Sequence, residues 1–415
     1  MRLTILTLLL AMTTACDRPA TWTGSIESLL ASQPERFGTV LKNPDKYRVQ
    51  IIYAQIDRDA DNNPHFRTHI YRVDPGEYFY PASTVKLLTA ALALEKLKRL
   101  DLPGLNRETA MLTGSAADYQ AEAIVDETSP TGLPSVGHYI KKILLVSDND
   151  AFNRLYEFIG QQELNESLRQ KGYYDTRIVH RLESSLSEEE NRWTNPVQFF
   201  NGGELVYSQD ALRSKERYAG LTPQLLGKAE IVAGERVEGP KDFSSKNAYA
   251  LLDQHNVIRN LMFPDSAKAG KRFDLSEDDY RFLYRYMSMY PGESDIGAYQ
   301  DEKRYPEGYV KFLMFGGDAS KIPPHIRIFN KVGDAYGFLT DAAYIVDFKN
   351  NIEFMLSATI YTNENETFND NNYEYEEIGL PFLQDLGEVI YEVELQRQRQ
   401  YQPDLSRFRF SERAY

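Results

Sequence analysis

Hydrophobic residues in the first half of the chain recur at the spacing of α-helices. They do so in three runs, Leu87 to Leu100, Ile140 to Val146 and Ala151 to Ile159. Only a few polar residues separate the second run from the third, so these two predict a helical hairpin with a short turn. The first run follows an aromatic stretch that ends in Pro81-Ala82, which places the start of its helix near residue 83.

Strand-like alternation of polar and apolar residues appears near the C-terminal end. It begins at 325–329 and is followed by two more strand-like runs, Ala342 to Phe348 and Ile352 to Tyr361. The last two runs are joined by a turn, Lys349-Asn350-Asn351. The pattern therefore predicts an antiparallel meander.

A serine and a lysine occur at the predicted start of the first helix, in a first motif that reads Ser83-Thr84-Val85-Lys86. Residues three apart on a helix share a face, so the Lys86 amine can reach the Ser83 hydroxyl. A serine hydroxyl needs a neighbouring base to act as a nucleophile, and a lysine becomes that base when burial and other cations lower its pKa. The same two residues would also fit a capping serine beside a solvated lysine.

Two further motifs follow in the predicted elements. The second motif, Ser147-Asp148-Asn149, is the turn of the helical hairpin, and its hydroxyl and amide would suit proton shuttling and substrate holding. The third motif, Lys331-Val332-Gly333, ends the first strand of the meander. Each motif alone also fits an ordinary turn or strand end. Their occurrence together, in this order, predicts an acyl-transfer active site.

With all three motifs in place, the chain resembles the penicilloyl-serine transferases and most closely their class A beta-lactamase-like branch. The resemblance implies an α+β fold, in which terminal helices flank a five-stranded antiparallel sheet that packs on an all-helical lobe. It covers most of the chain, with a sheet lobe at about 24–75 and 320–400 and a helical lobe at about 76–319. Its further elements are an N-terminal helix at about Ile26 to Leu41, strands at Tyr47 to Ile56 and Phe66 to Val73, and a closing helix from about Pro381.

The resemblance also implies a role for each motif residue. Ser83 would be the acylated nucleophile, Lys86 its base, Ser147 the proton shuttle and Lys331 an electrostatic anchor. Asn149 would contact the substrate and the lysine, while the backbone N–H groups of Ser83 and Asp334, next to Gly333, would form the oxyanion hole.

A fourth segment, Arg181 to Ser187, lies where class A enzymes hold the deacylating water. Glu183 matches the general base and Arg181 the residue that ties the loop down. Ser187 replaces the asparagine that helps to hold the water, and Ser184 replaces the expected proline. These departures put deacylation in question, and the segment also fits a solvated acidic loop.

Two more departures concern substrate recognition. Val332 replaces a hydroxyl that contacts the substrate carboxylate, and valine cannot form a hydrogen bond. A long stretch at about 199–297 predicts an inserted helical region, which includes a helix capped by Ser276 with Asp279 three residues on.

Composition adds exclusions. Asp and Glu number 61 against 47 Lys and Arg, and the net charge of −14 disfavours nucleic acid as a partner. The six histidines show no spacing typical of metal ligands, so we expect no metal and no cofactor.

A calcium-loop-like run at Asp57 to Asn62 lacks the bidentate Glu, which favours a hairpin turn. The tail from Gln396 to Tyr415 fits a frayed terminus or a contact with a partner or a membrane surface.

The N-terminus predicts export. Arg2 and the apolar run Leu3 to Ala11 resemble a signal peptide at residues 1–15, which is too short to span a membrane as a mature helix. Cys16 follows directly and is the only cysteine. Its position resembles a bacterial lipobox, although Thr13 stands where that motif prefers leucine. We therefore expect a lipid anchor at Cys16 in the bacterial cell envelope, with simple secretion as the alternative.

The sequence thus predicts an exported serine hydrolase that forms an acyl-enzyme at Ser83 with a small amide or ester. Beta-lactam hydrolysis is favoured by the resemblance and by Glu183. A D,D-peptidase or esterase acting on cell-wall fragments is favoured by Val332 and Ser187, and a non-catalytic binding module that kept the fold is the third possibility.

Overall fold

The computed structural model describes residues 24–218, 223–316 and 321–410. Predictions for the signal peptide and for Cys16 fall outside these residues. The α-helices of the described residues are α1 (Ile26–Ala31), α2 (Pro34–Leu41), α3 (Val85–Leu100), α4 (Val136–Val146), α5 (Asn149–Ile159), α6 (Gln161–Gln170), α7 (Glu188–Asn191), α8 (Leu251–Met262), α9 (Glu277–Ser288), the kinked turn α10 (Phe312–Phe315) and α11 (Leu380–Gln396).

The strands form one large sheet and three small ones. The large sheet has five strands, all antiparallel, in the order β10-β11-β12-β1-β2. This sheet confirms the predicted α+β fold. The strands are β1 (Gln50–Arg58), β2 (Pro64–Tyr71), β3 (Ala110–Thr113), β4 (Val197–Asn201), β5 (Glu204–Gln209), β6 (Leu225–Leu226), β7 (Ala229–Val232), β8 (Glu235–Glu238), β9 (Lys241–Asp242), β10 (Ile326–Ala335), β11 (Phe338–Asp347), β12 (Ile352–Tyr361) and β13 (Thr367–Phe368).

Both faces of the large sheet are covered, because β11 and β12 are buried along almost their whole length. The terminal helices α2 and α11 cover one face of the sheet, and the core between them and the sheet includes Phe37, Leu356 and Leu386. Helix α8 contacts β1, β11 and β12 on the other face. Edge strand β10 is left beside the helical lobe, and this places the third motif against the start of α3.

The N-terminal helix predicted as one element is two helices. A capping box at Ser25 starts α1, which ends at Ala31, and Pro34 begins α2. Proline has no N–H to continue the hydrogen bonds of a preceding helix, while its fixed φ suits a first helical position. The chain therefore breaks at Ser32-Gln33 and starts a new helix.

The stretch at about 199–297 is mixed and not simply helical. Its first half forms strand pairs, β4 with β5 and β7 with β8, and only its second half holds helices α8 and α9. The predicted cap of α9 is present, since the Ser276 side chain accepts a hydrogen bond from Asp279 N. The strand pairs were missed because their strands have only four to six residues, and β8 is exposed at every position.

The C-terminal tail is packed through residue 410. Leu405 and Phe408 are buried, and the Phe408 ring lies against Phe263, Phe329 and Tyr344. The expectation of a frayed terminus is therefore wrong for residues 397–410. The two apolar side chains lack a helical or strand-like neighbour pattern, so only the folded chain reveals their burial.

Within the described ranges, no helix combines the length and the apolar character that a bilayer span requires.

Candidate active site

Ser83 lies at a tight turn that leads into α3. A short 3-10 helix, Ala82–Thr84, precedes α3 directly, and Thr84 N donates to Pro81 O at 3.1 Å. Ala82 has a φ of +45°, a left-handed conformation that costs energy for a residue with a Cβ. Such strain beside a half-buried serine is typical of functional sites. The turn presents the Ser83 hydroxyl at the start of the helix, as the sequence predicted.

Lys86 is buried one helical turn after Ser83, and its amine contacts three side chains of the first two motifs. Its Nζ lies 2.7 Å from Ser83 Oγ, 3.2 Å from Ser147 Oγ and 2.6 Å from Asn149 Oδ1. It also donates to Ser147 O. Burial holds the pKa of Lys86 well below its ordinary value, and the neighbouring Lys331 charge lowers the pKa further. A lysine without its proton can accept the proton of the Ser83 hydroxyl.

Ser147 joins the two lysines through one hydroxyl. It ends α4 in a left-handed conformation, with φ 59° and ψ 37°. Its Oγ accepts from Lys331 Nζ at 2.9 Å. The following residue, Asp148, caps α5 by accepting from Ala151 N at 2.8 Å. The tight turn therefore directs both oxygens of Ser147 toward the lysines.

The third motif brings a second buried lysine to the site. Lys331 Nζ also donates to Val332 O at 3.0 Å. Burial lowers the pKa of Lys331 to about 7, although Asp334 and Asp341 act to raise it. This lysine is therefore close to half protonated at neutral pH.

Gly333 allows β10 to approach the serine turn. A Cβ on this residue would lie 2.6 Å from Pro81 O, 2.9 Å from Ser83 N and 3.0 Å from Thr84 N. All three are backbone atoms, which cannot move aside as a flexible side chain can. Only glycine leaves room for this contact, which holds the end of β10 against the serine turn.

Glu183 connects to the lysine through an amide. Asn149 Nδ2 donates to Glu183 Oε2 at 2.8 Å, while Asn149 Oδ1 accepts from Lys86. Glu183 is exposed and has a φ of +49°. The structure thus brings Glu183 to the site, but it leaves the carboxylate open to solvent.

The loop that carries Glu183 is anchored on both sides of this residue. Arg181 Nε donates to Glu157 Oε1 at 3.0 Å, and Leu182 N donates to Asn153 Oδ1 at 2.9 Å. Further along, Asn195 Nδ2 donates to the same Glu157 oxygen at 3.3 Å. Sequence reasoning missed Glu157, because an acid within the helical run of α5 carries no local sign of a partner on a distant loop.

Ser187 and Ser184 take part in the local structure of that loop. The Ser187 side chain caps α7 and accepts from Glu190 N at 3.3 Å, and Ser184 Oγ accepts from Leu186 N at 3.3 Å. A serine engaged as a helix cap is a poor substitute for an amide that would hold a water beside Glu183.

A buried polar group behind Lys331 was also missed by the sequence. Asp341 faces Val332 across the sheet and accepts from Phe312 N and Leu313 N, each at 3.1 Å. Asn330 Nδ2 donates to Asp341 Oδ1 at 2.8 Å, and Lys311 Nζ donates to Asn330 Oδ1 at 2.7 Å. Burial lowers the pKa of Lys311 and raises that of Asp341. The group fixes the strand from which Lys331 projects.

Among residues 24–218, 223–316 and 321–410, no group of three or more His, Cys, Asp or Glu side chains could hold a metal ion. The run at 57–62 forms the turn between β1 and β2, in which Asp59 Oδ1 accepts from Asp61 N and Asn63 N.

Comparison with known proteins finds a family similarity over part of the chain. A model of the beta-lactamase enzyme family matches residues 36–226, which include the first two motifs and Glu183 but not the third motif. Similar solved structures include the beta-lactamase from Streptomyces albus G, at 15% identity over 88% of this chain and 98% of that chain with a TM-score of 0.47. A beta lactamase from Xanthomonas campestris pv. campestris is similar at 15% identity over 88% and 98%, with a TM-score of 0.48. The structure of PBP-A is similar at 13% identity over 89% and 96%, with a TM-score of 0.49. No curated protein matches the chain.

Proposed function

We propose that this chain is a serine hydrolase of the beta-lactamase-like superfamily that works through an acyl-enzyme on Ser83. One observation carries the proposal: Lys86 Nζ lies 2.7 Å from Ser83 Oγ, and burial holds the pKa of this lysine well below its ordinary value. A nucleophile within hydrogen-bond reach of a neutral base, at a strained turn, is the arrangement that covalent catalysis requires.

In the acylation step, Ser83 Oγ bonds to the carbonyl carbon of the substrate while its proton passes to Lys86 Nζ. The negative charge that develops on the carbonyl oxygen is stabilised by the backbone N–H groups of Ser83 and Asp334. The bond to the leaving nitrogen or oxygen then breaks. Ser147 gives its hydroxyl proton to the leaving group and takes the proton held by Lys86, whose Nζ lies 3.2 Å away. Ser83 remains acylated.

In the deacylation step, water attacks the acyl carbon and gives a proton to Glu183. The bond to Ser83 Oγ then breaks, and this oxygen takes the proton back, so that Ser83 and the Glu183 carboxylate are regenerated and the acid product is released. The contact of Asn149 with both Glu183 and Lys86 supports this route, because it holds the Glu183 carboxylate near the lysine that contacts Ser83. The exposure of Glu183 makes this step the slower one, since a carboxylate in contact with solvent does not hold one water in a fixed position for attack.

Among substrates, we propose beta-lactams as the leading class, supported by the family match over residues 36–226. A D,D-peptidase or esterase activity is the second candidate. It is favoured by Val332, which is buried and offers no hydrogen bond to a substrate carboxylate, and by the exposed position of Glu183.

The proposal is tested by covalent labelling of the purified protein with a fluorescent penicillin and, separately, with a fluorophosphonate. We expect label on Ser83, located by peptide mass spectrometry, and no label on Ser83→Ala. Ser185→Ala is the matched control, because Ser185 is an exposed serine of the Glu183 loop and should label normally. Lys86→Ala should lose several orders of magnitude in labelling rate, and the double variant should lose little more than either single variant.

If neither probe labels Ser83, the protein is a binding module that kept the fold. Additive losses in the double variant would contradict a mechanism in which Ser83 and Lys86 act together.

We also propose that the protein is exported and lipid-anchored at Cys16, supported by the signal-like run Leu3 to Ala11 that precedes this cysteine. Expressed with its own leader in a bacterium, the protein should fractionate with membranes. Cys16→Ser should release it or block its maturation. Membrane association that persists unchanged in Cys16→Ser would refute the anchor.

A further inference from the structure

A cavity of about 440 Å³ adjoins the proposed active site on the side of the third motif. Ser147, Val332 and Asp334 form the wall nearest to Ser83, so a substrate that acylates Ser83 would extend into this space. The rest of the lining consists of five apolar side chains, two tyrosines, two glycines and one carboxylate. The lining residues are Ser147, Pro306, Gly308, Tyr309, Val310, Phe312, Gly316, Val332, Asp334, Leu339, Tyr375, Glu376 and Leu380.

The charged groups on this lining have one sign. Asp334 and Glu376 are both exposed toward the cavity, and neither forms a hydrogen bond or an ion pair through its carboxylate with any residue that the structure describes. None of the lining residues is lysine, arginine or histidine. Carboxylates that serve the fold are normally paired with a cation or with N–H groups, as Asp341 is with Phe312 N and Leu313 N. These two carboxylates remain available to a ligand.

Lys331 attracts the Asp334 carboxylate and offsets part of this negative charge, but it does not line the cavity. Its ammonium already donates to Ser147 Oγ and Val332 O, and it lies behind the lining and is not part of it. Burial also lowers the pKa of Lys331 to about 7, so that its positive charge is only partly present at neutral pH.

The aromatic lining favours the same kind of ligand. Tyr309 and Tyr375 both contribute to the cavity wall, and the face of an aromatic ring attracts a cation. The Tyr375 hydroxyl accepts from Gly337 N at 2.8 Å, which holds the ring at the mouth of the cavity and leaves the hydroxyl proton free to donate. An ammonium group here would meet two carboxylates and two rings, whereas a carboxylate would meet repulsion from both acids.

We propose that this cavity favours substrates that carry an ammonium group beside the scissile bond over those that carry a carboxylate there, with Asp334 as the specificity-determining residue. Within the beta-lactam class, penicillins carry that carboxylate and should therefore acylate Ser83 more slowly than analogues that lack it. The inference rests on the proposed function, because it names the substrate class of the same site. Asp334 has two roles in this proposal. Its backbone N–H stabilises the charge that develops during the reaction, and its side chain selects the substrate.

The test uses three nitrophenyl esters that are matched in size and differ in one substituent, which is an ammonium, a methyl group or a carboxylate. The ratio of kcat/KM for the ammonium ester to that for the carboxylate ester should be about tenfold or more in the native protein. Asp334→Asn, which keeps the shape and the backbone N–H, should lower this ratio about tenfold, and Glu376→Gln should lower it by a smaller factor. The ratio should also fall as salt is raised, because salt screens exposed charges.

Glu377→Gln is the control, since Glu377 lies in the same turn as Glu376 but does not line the cavity. This variant should leave the ratio and the rates unchanged. Ser83→Ala provides a readout that does not depend on turnover: by calorimetry it should bind the uncleaved ammonium ester more tightly than the carboxylate ester.

The outcomes separate this inference from the proposed function. If a fluorophosphonate labels Ser83 but Asp334→Asn leaves the ratio of the two esters unchanged, the substrate class is wrong and the serine hydrolase stands. If Ser83 is not labelled, no ester is cleaved and Ser83→Ala binds the three esters equally, both proposals fall.

Discussion

At the scale of the residue, the site is governed by two buried lysines that contact one hydroxyl. Ser147 Oγ lies 3.2 Å from Lys86 Nζ and 2.9 Å from Lys331 Nζ. Two ammonium groups this close repel each other, and burial disfavours the charge on both. Burial and the Lys331 charge hold the pKa of Lys86 well below its ordinary value, while that of Lys331 is lowered to about 7. Burial and the Lys331 charge therefore both favour the neutral form of Lys86, which can act as the base.

The two lowered pKa values predict the pH profile of acylation. The rate should rise as Lys86 loses its proton and fall above about pH 7 as Lys331 loses its own. Lys331→Met removes the charge that lowers the pKa of Lys86, so that pKa should rise and the ascending limb should move to higher pH. The descending limb near pH 7 should disappear. The profile is measured as the rate of labelling by a neutral fluorophosphonate between about pH 5 and pH 10.

Lys349→Met, at an exposed turn, is the control for this experiment and should keep the native profile. A Lys331→Met variant that labels with the native pH profile would show that the two lysines are not coupled.

At the scale of the element, the turn between α4 and α5 and the end of β10 position the reacting groups. Ser147 adopts a left-handed conformation at the end of α4, which costs energy for any residue other than glycine. Ser147→Gly should therefore keep the turn and lose only the hydroxyl, whereas Ser147→Ala should lose the hydroxyl and retain the strain. If the hydroxyl is the proton shuttle, both variants should lose acylation by similar factors of about a hundredfold or more. Single-turnover rates measure this, and a glycine variant that keeps the native rate would assign Ser147 a purely conformational role.

The approach of β10 to the serine turn gives a second prediction at this scale. Gly333→Ala places a Cβ within 2.6 Å of Pro81 O, so the strand or the turn must shift and the oxyanion hole must open. A displacement of about 1 Å can cost about a hundredfold in rate. We expect that loss in labelling rate, together with a lower Tm. Gly297→Ala is the matched control, because no atom lies within 4 Å of the added Cβ there, and it should change neither quantity.

The elements show which parts of the structure the sequence could predict. The helical hairpin around Ser147 and the meander of β10 to β12 follow from local periodicity, and local periodicity is visible in the sequence. The break at Pro34, the short strand pairs of 197–242 and the buried Phe408 depend on what each segment packs against. The same limit applies to the site. The motif residues were found from their spacing, whereas Glu157 and Asp341 act through contacts with residues distant in the sequence.

At the scale of the whole molecule, the helical lobe and the sheet each supply part of the site. Ser83, Lys86 and Ser147 come from helices, and Lys331 comes from the edge strand of the sheet, so the site forms only where the two lobes meet. The groups for acylation lie at this junction and are buried or half-buried. Glu183 instead lies on a loop that is anchored through Arg181 and exposed at the carboxylate itself. The groups for acylation are therefore held in place more firmly than the Glu183 carboxylate that serves deacylation.

This asymmetry predicts an acyl-enzyme that accumulates during turnover. Ser187 caps α7, so the water beside Glu183 lacks one fixed partner, and a misplaced water can cost about a hundredfold in rate. Mixing the protein with a penicillin or an activated ester should give a burst of one product equivalent followed by slow turnover, and mass spectrometry during the slow phase should show Ser83 acylated. Glu183→Gln should keep the burst and slow the second phase further, while Glu188→Gln, on the exposed helix that follows, should change neither phase. Fast turnover of penicillins with no burst and no detectable acylated protein would show that Glu183 holds its water well despite its exposure, and that the loop is as competent as the acylation site.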